Sequence, residues 1–320
     1  MDYQPLRNWP HDVSPFHAGS LAIQHAYGVA EKMDAQGRRG ITAVLMEQHR
    51  AFFSHLPFVV AGARDAAGQP WATLLFGQPG FMNSPAPEIL RIAAMPQAGD
   101  PLHAAFVPGA QMGLLGIEPA TRRRNRTNGV IASADALGFE LAVEQAFGNC
   151  PKYIQSRSHR VAVPGPSHQT RSAQLDEAAR KLIMLADTFF IATAYQADDA
   201  APAGGADVSH RGGNPGFVRV DQDGHLTVPD FTGNFHFRTL GNILSDPRAG
   251  LLFPDFLTGD LLYLAVTATV IWNGPEVNAF PGAQRLLRFH VKEMIRLDAA
   301  MPLRFDDGER SPFLAATGTW

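Results

Sequence analysis

Two short runs of the chain carry residue types suited to holding an anion. The first is Val208-Ser209-His210-Arg211-Gly212, and the second is Arg238-Thr239 with Asn242 four residues on. A guanidinium grips an oxyanion through paired N–H donors, and the opening amides of a helix complement negative charge. The elements that must position these residues follow from local pattern. Val208–Arg211, Phe217–Val220 and His225–Val228 read as short strands, with Asp223-Gly224 as a tight hairpin turn between the last two. Arg238–Leu244 has helical spacing and stops before Asp246-Pro247, and Gly250–Phe253 reads as a buried strand.

The run from Gly205 to Phe256 resembles the pyridoxamine 5'-phosphate oxidase-like, FMN-binding split-barrel family. The resemblance rests on Ser209-His210-Arg211-Gly212-Gly213-Asn214-Pro215-Gly216-Phe217, on Pro229-Asp230-Phe231-Thr232-Gly233-Asn234, and on the run from Arg238 to Phe253. It covers most of residues 175–272. It implies a mainly β fold with some α, and an FMN whose phosphate is gripped near Ser209, Arg211, Arg238 and Thr239, with its ring between two barrels. On the same resemblance Val208, His210, Gly212, Thr232, Asn234 and Asn242 join the contact set. Arg124 and Lys152 would come from the first half of the chain.

An internal repeat organises the rest. Phe76-Gly77-Gln78-Pro79-Gly80-Phe81 recurs as Gly212-Gly213-Asn214-Pro215-Gly216-Phe217, and Met112-Gly113-Leu114-Leu115-Gly116 recurs as Ala249-Gly250-Leu251-Leu252-Phe253. The offsets are 136 (213 minus 77) and 137 (250 minus 113). Helices over Thr42–His55 and Leu175–Ala186 precede first strands Pro57–Ala63 and Thr188–Tyr195, and Phe139–Phe147 corresponds to Leu287–Met294. The expected architecture is two tandem split β-barrels: a helical lead-in over 1–40, a first barrel over 41–161, a Pro/Gly/Ser-rich linker over 162–172, and a phosphate-binding barrel over 173–320. Single-barrel relatives bind flavin across a homodimer interface, and a tandem pair builds a similar interface within one chain.

The copies differ in chemistry. Asp207-Val208-Ser209-His210-Arg211 is matched by Trp71-Ala72-Thr73-Leu74-Leu75, and residues 99–111 hold His103 but no counterpart of the Arg238 helix. Copy two therefore holds the phosphate and copy one supplies a wall. Copy one carries Thr121-Arg122-Arg123-Arg124-Asn125-Arg126-Thr127-Asn128-Gly129, in which Arg122, Arg124 and Arg126 share one strand face. Two readings stand: an anion-accepting stripe, or an exposed edge strand protected by charge. Asn149-Cys150-Pro151-Lys152-Tyr153-Ile154 resembles runs in the same flavoprotein group and would set the Lys152 ammonium near the pole of the ring that gains charge on reduction. Cys150, the one cysteine, has no neighbouring partner and reads as a packing residue.

The lead-in holds a helix over Leu21–Met33 capped by Ser20, weakened by Gly28. Thirty glycines and twenty-four prolines fit a turn-rich β chain. A net charge of −3 without an extended basic block argues against nucleic acid. A single cysteine excludes a disulfide framework, and His210, His225 and His236 match no zinc spacing. No signal peptide is visible near Met1, and the longest apolar run, Leu261–Trp272, falls short of the ~20 residues a bilayer needs. Trp71, Trp272 and Trp320 read as core or interface aromatics, and Asp198, Asp199 and Asp207 as residues of a flexible loop or its edge. The expectation is a cytoplasmic FMN protein working with a small-molecule substrate, NAD(P)H or a redox partner, without membrane, nucleic acid or metal. An oxidoreductase and a non-catalytic flavin module both remain open, as does a homodimer.

Overall fold

A computed structural model describes residues 8–163, 168–195 and 203–320. The expected linker falls partly, and Asp198 and Asp199 wholly, outside the described residues. The lead-in forms two helices, α1 (Ala18–Ala26) and α2 (Ala30–Gly40), rather than one. Gly28 takes φ of 65°, a left-handed geometry that ends α1, and His17 rather than Ser20 caps it by accepting from the Ser20 amide.

Helix α3 (Glu47–His55) leads into β1 (Phe58–Arg64), β2 (Pro70–Phe76), β3 (Met82–Ala86), β4 (Ile89–Ile92), β5 (Gln111–Glu118), β6 (Arg123–Asp135) and β7 (Gly138–Gly148). Thr42 lies outside α3, because its backbone bridges to Ala146. These strands form one antiparallel sheet in the order β2-β1-β5-β6-β7-β4-β3. After β8 (His159–Val161), β9 (Gln169–Ser172) and α4 (Glu177–Leu185), the pattern returns: β10 (Thr188–Tyr195), β11 (Gly205–Gly212), β12 (Arg219–Val220), β13 (His225–Phe231), α5 (Arg238–Ser245), β14 (Arg248–Pro254), β15 (Leu261–Ile271), the short α6 (Pro275–Ala279) and β16 (Ala283–Leu297). The second sheet runs β11-β10-β14-β15-β16-β13-β12, the same order element for element, with β9 added beside β16. A final strand, β17 (Leu303–Phe305), pairs with β8. The fold is mainly β, built from antiparallel sheets with few short helices.

The registers make the correspondence residue-specific. Ala61 faces Thr73 and Leu114, as Ile191 faces Ser209 and Leu251; Leu115 faces Arg126, as Leu252 faces Tyr263. Each long hairpin also slips register, between Asn128 and Gly129 and again between Ile131 and Ser133 in the first sheet, and between Ala265 and Val266 in the second. Two glycines show how the sheets meet. A Cβ on Gly113 would come within 2.8 Å of the Asp207 Cα, and one on Gly250 within 2.6 Å of the Trp71 Cα. Gly113 and Gly250 occupy matching positions, as do Asp207 and Trp71, so the contact is made twice about an approximate twofold axis. Around it Val60, Leu114, Phe190, Val208 and Tyr263 form one continuous apolar core.

Two strand expectations change. The Phe217–Val220 strand shrinks to Arg219–Val220, since Gly216 has φ of 87° and Phe217 still belongs to the turn, its amide donating to Asn214. The arginine-rich β6 lies between β5 and β7, so the edge-strand reading of its charges fails. Among the described residues no helix is long and apolar enough to cross a membrane.

Candidate functional site

A cleft opens where β6 of the first sheet meets β11, β13 and α5 of the second, roofed by the loop after β7. It has about 1100 Å³ of empty space, part of it open to solvent. Ser209, His210, Arg211 and Gly212 enter from β11, Thr232 and Asn234 from the loop after β13, Arg238 and Thr239 from the first turn of α5, Arg124 from β6, and Lys152 from the roof loop. Ten of the twelve expected residues therefore line one cavity. The other two stand behind its wall. Val208 alternates with Ser209 and points into the core between the sheets. Asn242 lies one turn further along α5 than Arg238 and is buried against β10, its amide donating to Thr193 Oγ1 at 2.9 Å.

Local geometry explains the positions. The backbone of Phe237 is left-handed (φ 52°), so α5 begins abruptly and turns Arg238 and Thr239 toward β11. Thr239 Oγ1 donates to Ser209 Oγ at 3.2 Å, and Arg126 Nη2 reaches the same oxygen at 2.7 Å from the opposite sheet. Arg124 Nε holds the Cys150 carbonyl at 2.6 Å, tying the roof loop to β6. That loop then runs across the end of β11: a Cβ on Gly212 would collide with the Tyr153 carbonyl, so glycine is required there. Lys152 Nζ sits 5.3 Å from the Phe313 ring centre on the cleft rim. Cys150 borders the cleft with no ligand group assembled around it, and no cluster of metal-ligating side chains exists among the described residues.

Arg126 and Arg285 also belong to the wall. Arg126 stood in the arginine stripe offered as anion-accepting, whereas Arg285 was not expected. Arg285 is a buried strand position whose backbone register partner is Asp230. The cleft thus gathers six cations: Arg124, Arg126, Lys152, Arg211, Arg238 and Arg285. Asp207 pairs with Arg126 at 3.0 Å, and Asp230 is shared by Arg211 and Arg285, the latter at 2.9 Å. Six positive charges less two negative ones leave four uncompensated.

The field is visible in the titrating groups. Burial, then Arg126, lowers Arg124 to about 10, and burial lowers Arg238 to about 10; both remain charged at neutral pH. Burial and then Arg238 push His236 and His17 down to about 3, and burial with Arg124, Arg211 and Arg157 holds His210 well below its ordinary value. The histidines are therefore neutral donors or acceptors. Asp230 is the only carboxylate lining the cleft among the described residues, and it is locked between two arginines.

A phosphorylated planar cofactor fits this donor set. Arg126 Nε, Arg211 Nε, Arg238 Nε and Arg285 Nε are buried without a hydrogen-bond partner, as are Asn149 Oδ1 and His236 Nδ1. Such groups normally find partners, and each left alone costs roughly 1 to 3 kcal/mol. These atoms are themselves closed to solvent, so it is the surplus positive charge around the cleft, with the Ser209 and Thr239 hydroxyls, that suits an anion.

Comparison with known proteins adds only distant likeness. No family model and no curated protein matches the chain. Among solved structures, a candidate pyridoxamine 5'-phosphate oxidase from Lactobacillus delbrueckii is 19% identical, covering 38% of this chain and 94% of its own, with a TM-score of 0.30. A FAD-binding protein from Mesorhizobium loti is 10% identical over 42% of this chain and 99% of its own, with a TM-score of 0.28. HupZ of Group A Streptococcus is 12% identical over 43% and 98%, with a TM-score of 0.29. The described residues define a two-sheet, mainly β protein with a cationic cleft where the two sheets meet.

Proposed function

We propose that this chain is a flavoprotein that binds FMN in the cationic cleft, an oxidoreductase of the pyridoxamine 5'-phosphate oxidase-like group built as two barrels in tandem. The observation that carries the reading is the surplus of four positive charges, with unpartnered guanidinium atoms, where β6, β11 and α5 meet. Arg211, Arg238, Ser209 and Thr239, joined by Arg126, would hold the phosphate; Lys152, Tyr153 and Asn149 in the roof loop would border the ring. The bound flavin would supply hydride or electron transfer. The chain's own part is electrostatic and steric: fixed cations favour the anionic ligand without reorganising, and the roof loop limits water.

A specific observation keeps the second reading, a flavin carrier or electron-transfer module, in contention. Among the described residues no lining carboxylate or imidazole is a strong general base: Asp230 is locked between two arginines, and burial, then the neighbouring arginines, pushes His210 and His236 so far down that their neutral rings are poor proton acceptors. One experiment separates the cases. The purified protein should be yellow, its flavin retained as FMN, and anaerobic NADPH should bleach it at a catalytic rate. A yellow protein inert to NADPH leaves the module, and a colourless protein that takes up no added flavin ends both.

A further inference from the structure

The approximate twofold axis that builds the cleft must also generate a second, matching place, and strand register identifies it. Arg126 corresponds to Tyr263, Arg124 to Leu261, and Ser209, His210 and Arg211 to Thr73, Leu74 and Leu75. Where α5 sits in the second sheet, between β13 and β14, the first sheet has the turns between β4 and β5. Beside the apolar Leu102 and Phe106, these turns bury one charged side chain, Asp100, which is 5% exposed. Its Oδ2 accepts from Thr73 Oγ1 and, at 2.9 Å, from Tyr263 OH; its Oδ1 accepts from the Leu102 amide at 2.8 Å. Thr73 and Tyr263 are the counterparts of Ser209 and Arg126, the two groups that meet at 2.7 Å in the cleft. Among the described residues no positive side chain makes a hydrogen bond to this carboxylate, and burial raises Asp100 to about 6.

We propose that this twin is a former anion seat held shut by its own carboxylate: Asp100 stands where a ligand's oxyanion would stand, and the chain accepts one anionic ligand, at Ser209, Arg126 and Thr239, rather than two. The inference deepens the flavin reading by locating the phosphate seat, but its tests use no flavin. Replacing Arg124, Arg126 and Arg211 by Leu261, Tyr263 and Leu75 removes the charge that would hold an external phosphate. A covalently tethered carboxylate needs less, because it pays no entropy of association.

Two arms test it by thermal melting. In the first, Asp100→Ala should melt below wild type, and formate should restore most of the loss, beyond chloride at equal ionic strength and with no gain in wild type. Formate acting no better than chloride overturns the tethered-anion assignment. The second arm covers failure of that variant to fold. Inorganic phosphate should raise the melting temperature of the ligand-free wild type, and Thr239→Asp, which sets a carboxylate beside Ser209 as Asp100 lies beside Thr73, should melt higher than wild type and lose the phosphate response. Phosphate stabilising both proteins equally places the seat elsewhere and sinks the proposal. A protein that passes both arms yet binds no flavin keeps the twin assignment and loses only the flavin reading.

Discussion

At the scale of single residues, the arginines do unequal work. Arg238 is buried, stacked 5.4 Å from the Phe147 ring centre, and bonded to Gln145 and the Pro15 carbonyl, so it is preorganised with its Nε unpartnered. Arg211 is fixed by Asp230. Loss of a charge-assisted hydrogen bond at such sites is worth about 1.5 to 3 kcal/mol. Arg238→Ala and Arg211→Ala should therefore each weaken FMN binding by roughly 10- to 150-fold in a fluorescence titration. Unchanged affinity in both would remove the phosphate assignment. Lys152 is different, because it stands on the rim rather than among the buried donors. Lys152→Met should lower the flavin midpoint potential with little change in FMN affinity, by ~30 mV for each ~1.4 kcal/mol of lost stabilisation in a two-electron couple. A dye-coupled redox titration of both proteins reads it, and collapse of affinity at constant potential would make Lys152 a phosphate ligand instead.

At the scale of elements, the interface is made by backbone meeting backbone. Gly250 on β14 presses on Pro70-Trp71 of β2, and Gly113 on β5 presses on Ala206-Asp207 of β11. Gly250→Ala would drive a methyl into main-chain atoms that have no rotamer by which to escape. We expect about 2 to 4 kcal/mol of destabilisation in denaturant unfolding, as for overpacked cores at their severe end. Gly224→Ala, where φ is 83° but the space around a Cβ is open, should cost about 1 kcal/mol, by backbone strain alone. Equal costs at the two positions would show that the sheets do not meet as described. Helix α5 is similarly fixed from outside, since a Cβ on Gly241 would come within 2.5 Å of the Ser20 amide of α1. The lead-in thereby holds α5, and with it Arg238 and Thr239, in place.

At the scale of the whole molecule, the apolar core runs through both sheets, joining Val60, Leu114 and Met112 to Phe190, Val208, Tyr263 and Ile295. A chain of residues 173–320 alone would expose that face, and should self-associate or aggregate in sedimentation. A well-behaved monomer with full FMN affinity would show the first sheet to be dispensable. The buried histidines give the molecule its acid response. His17 and His236 have folded values near 3 against 6.5 unfolded, and His210 is also lowered. Their stabilisation is present above pH 6.5 and is lost as pH falls toward the folded values, because the unfolded chain takes up the protons first. Asp100 acts in the opposite sense, its contribution being full below about 4 and lost as pH rises through 6. Three histidines outweigh one carboxyl, so the melting temperature should fall steadily from pH 6.5 to 4; a flat profile would contradict the buried, neutral histidines.

The sequence alone determined a good deal of this. The Gly-Leu-Leu and Pro-Gly-Phe echoes mark equivalent strands because identical backbone demands, a close approach in one case and a turn in the other, select the same residues twice. Alternation along β7 and β16 and the Asp223-Gly224 turn are local properties, fixed by the pleat and by φ above zero, and so were legible without a partner in view. Arg211, Arg238 and Thr239 were implied by the family resemblance of their runs, and the structure brings the three to one cleft. What escaped depends on packing across the molecule. Arg126 joins the cleft only because β6 lies inside its sheet and faces β11 of the other, and Arg285 only because β16 registers against Asp230. Val208 left the site because strand alternation turned it into the core, and Asn242 because it lies a turn deeper along α5, bonded to Thr193 of β10. Asp100, in a stretch where only His103 drew notice, gained its meaning when two hydroxyls more than 25 and more than 160 residues away converged on it. Local conformation is written in neighbouring residues, but which charges share a cavity is decided by how two sheets meet.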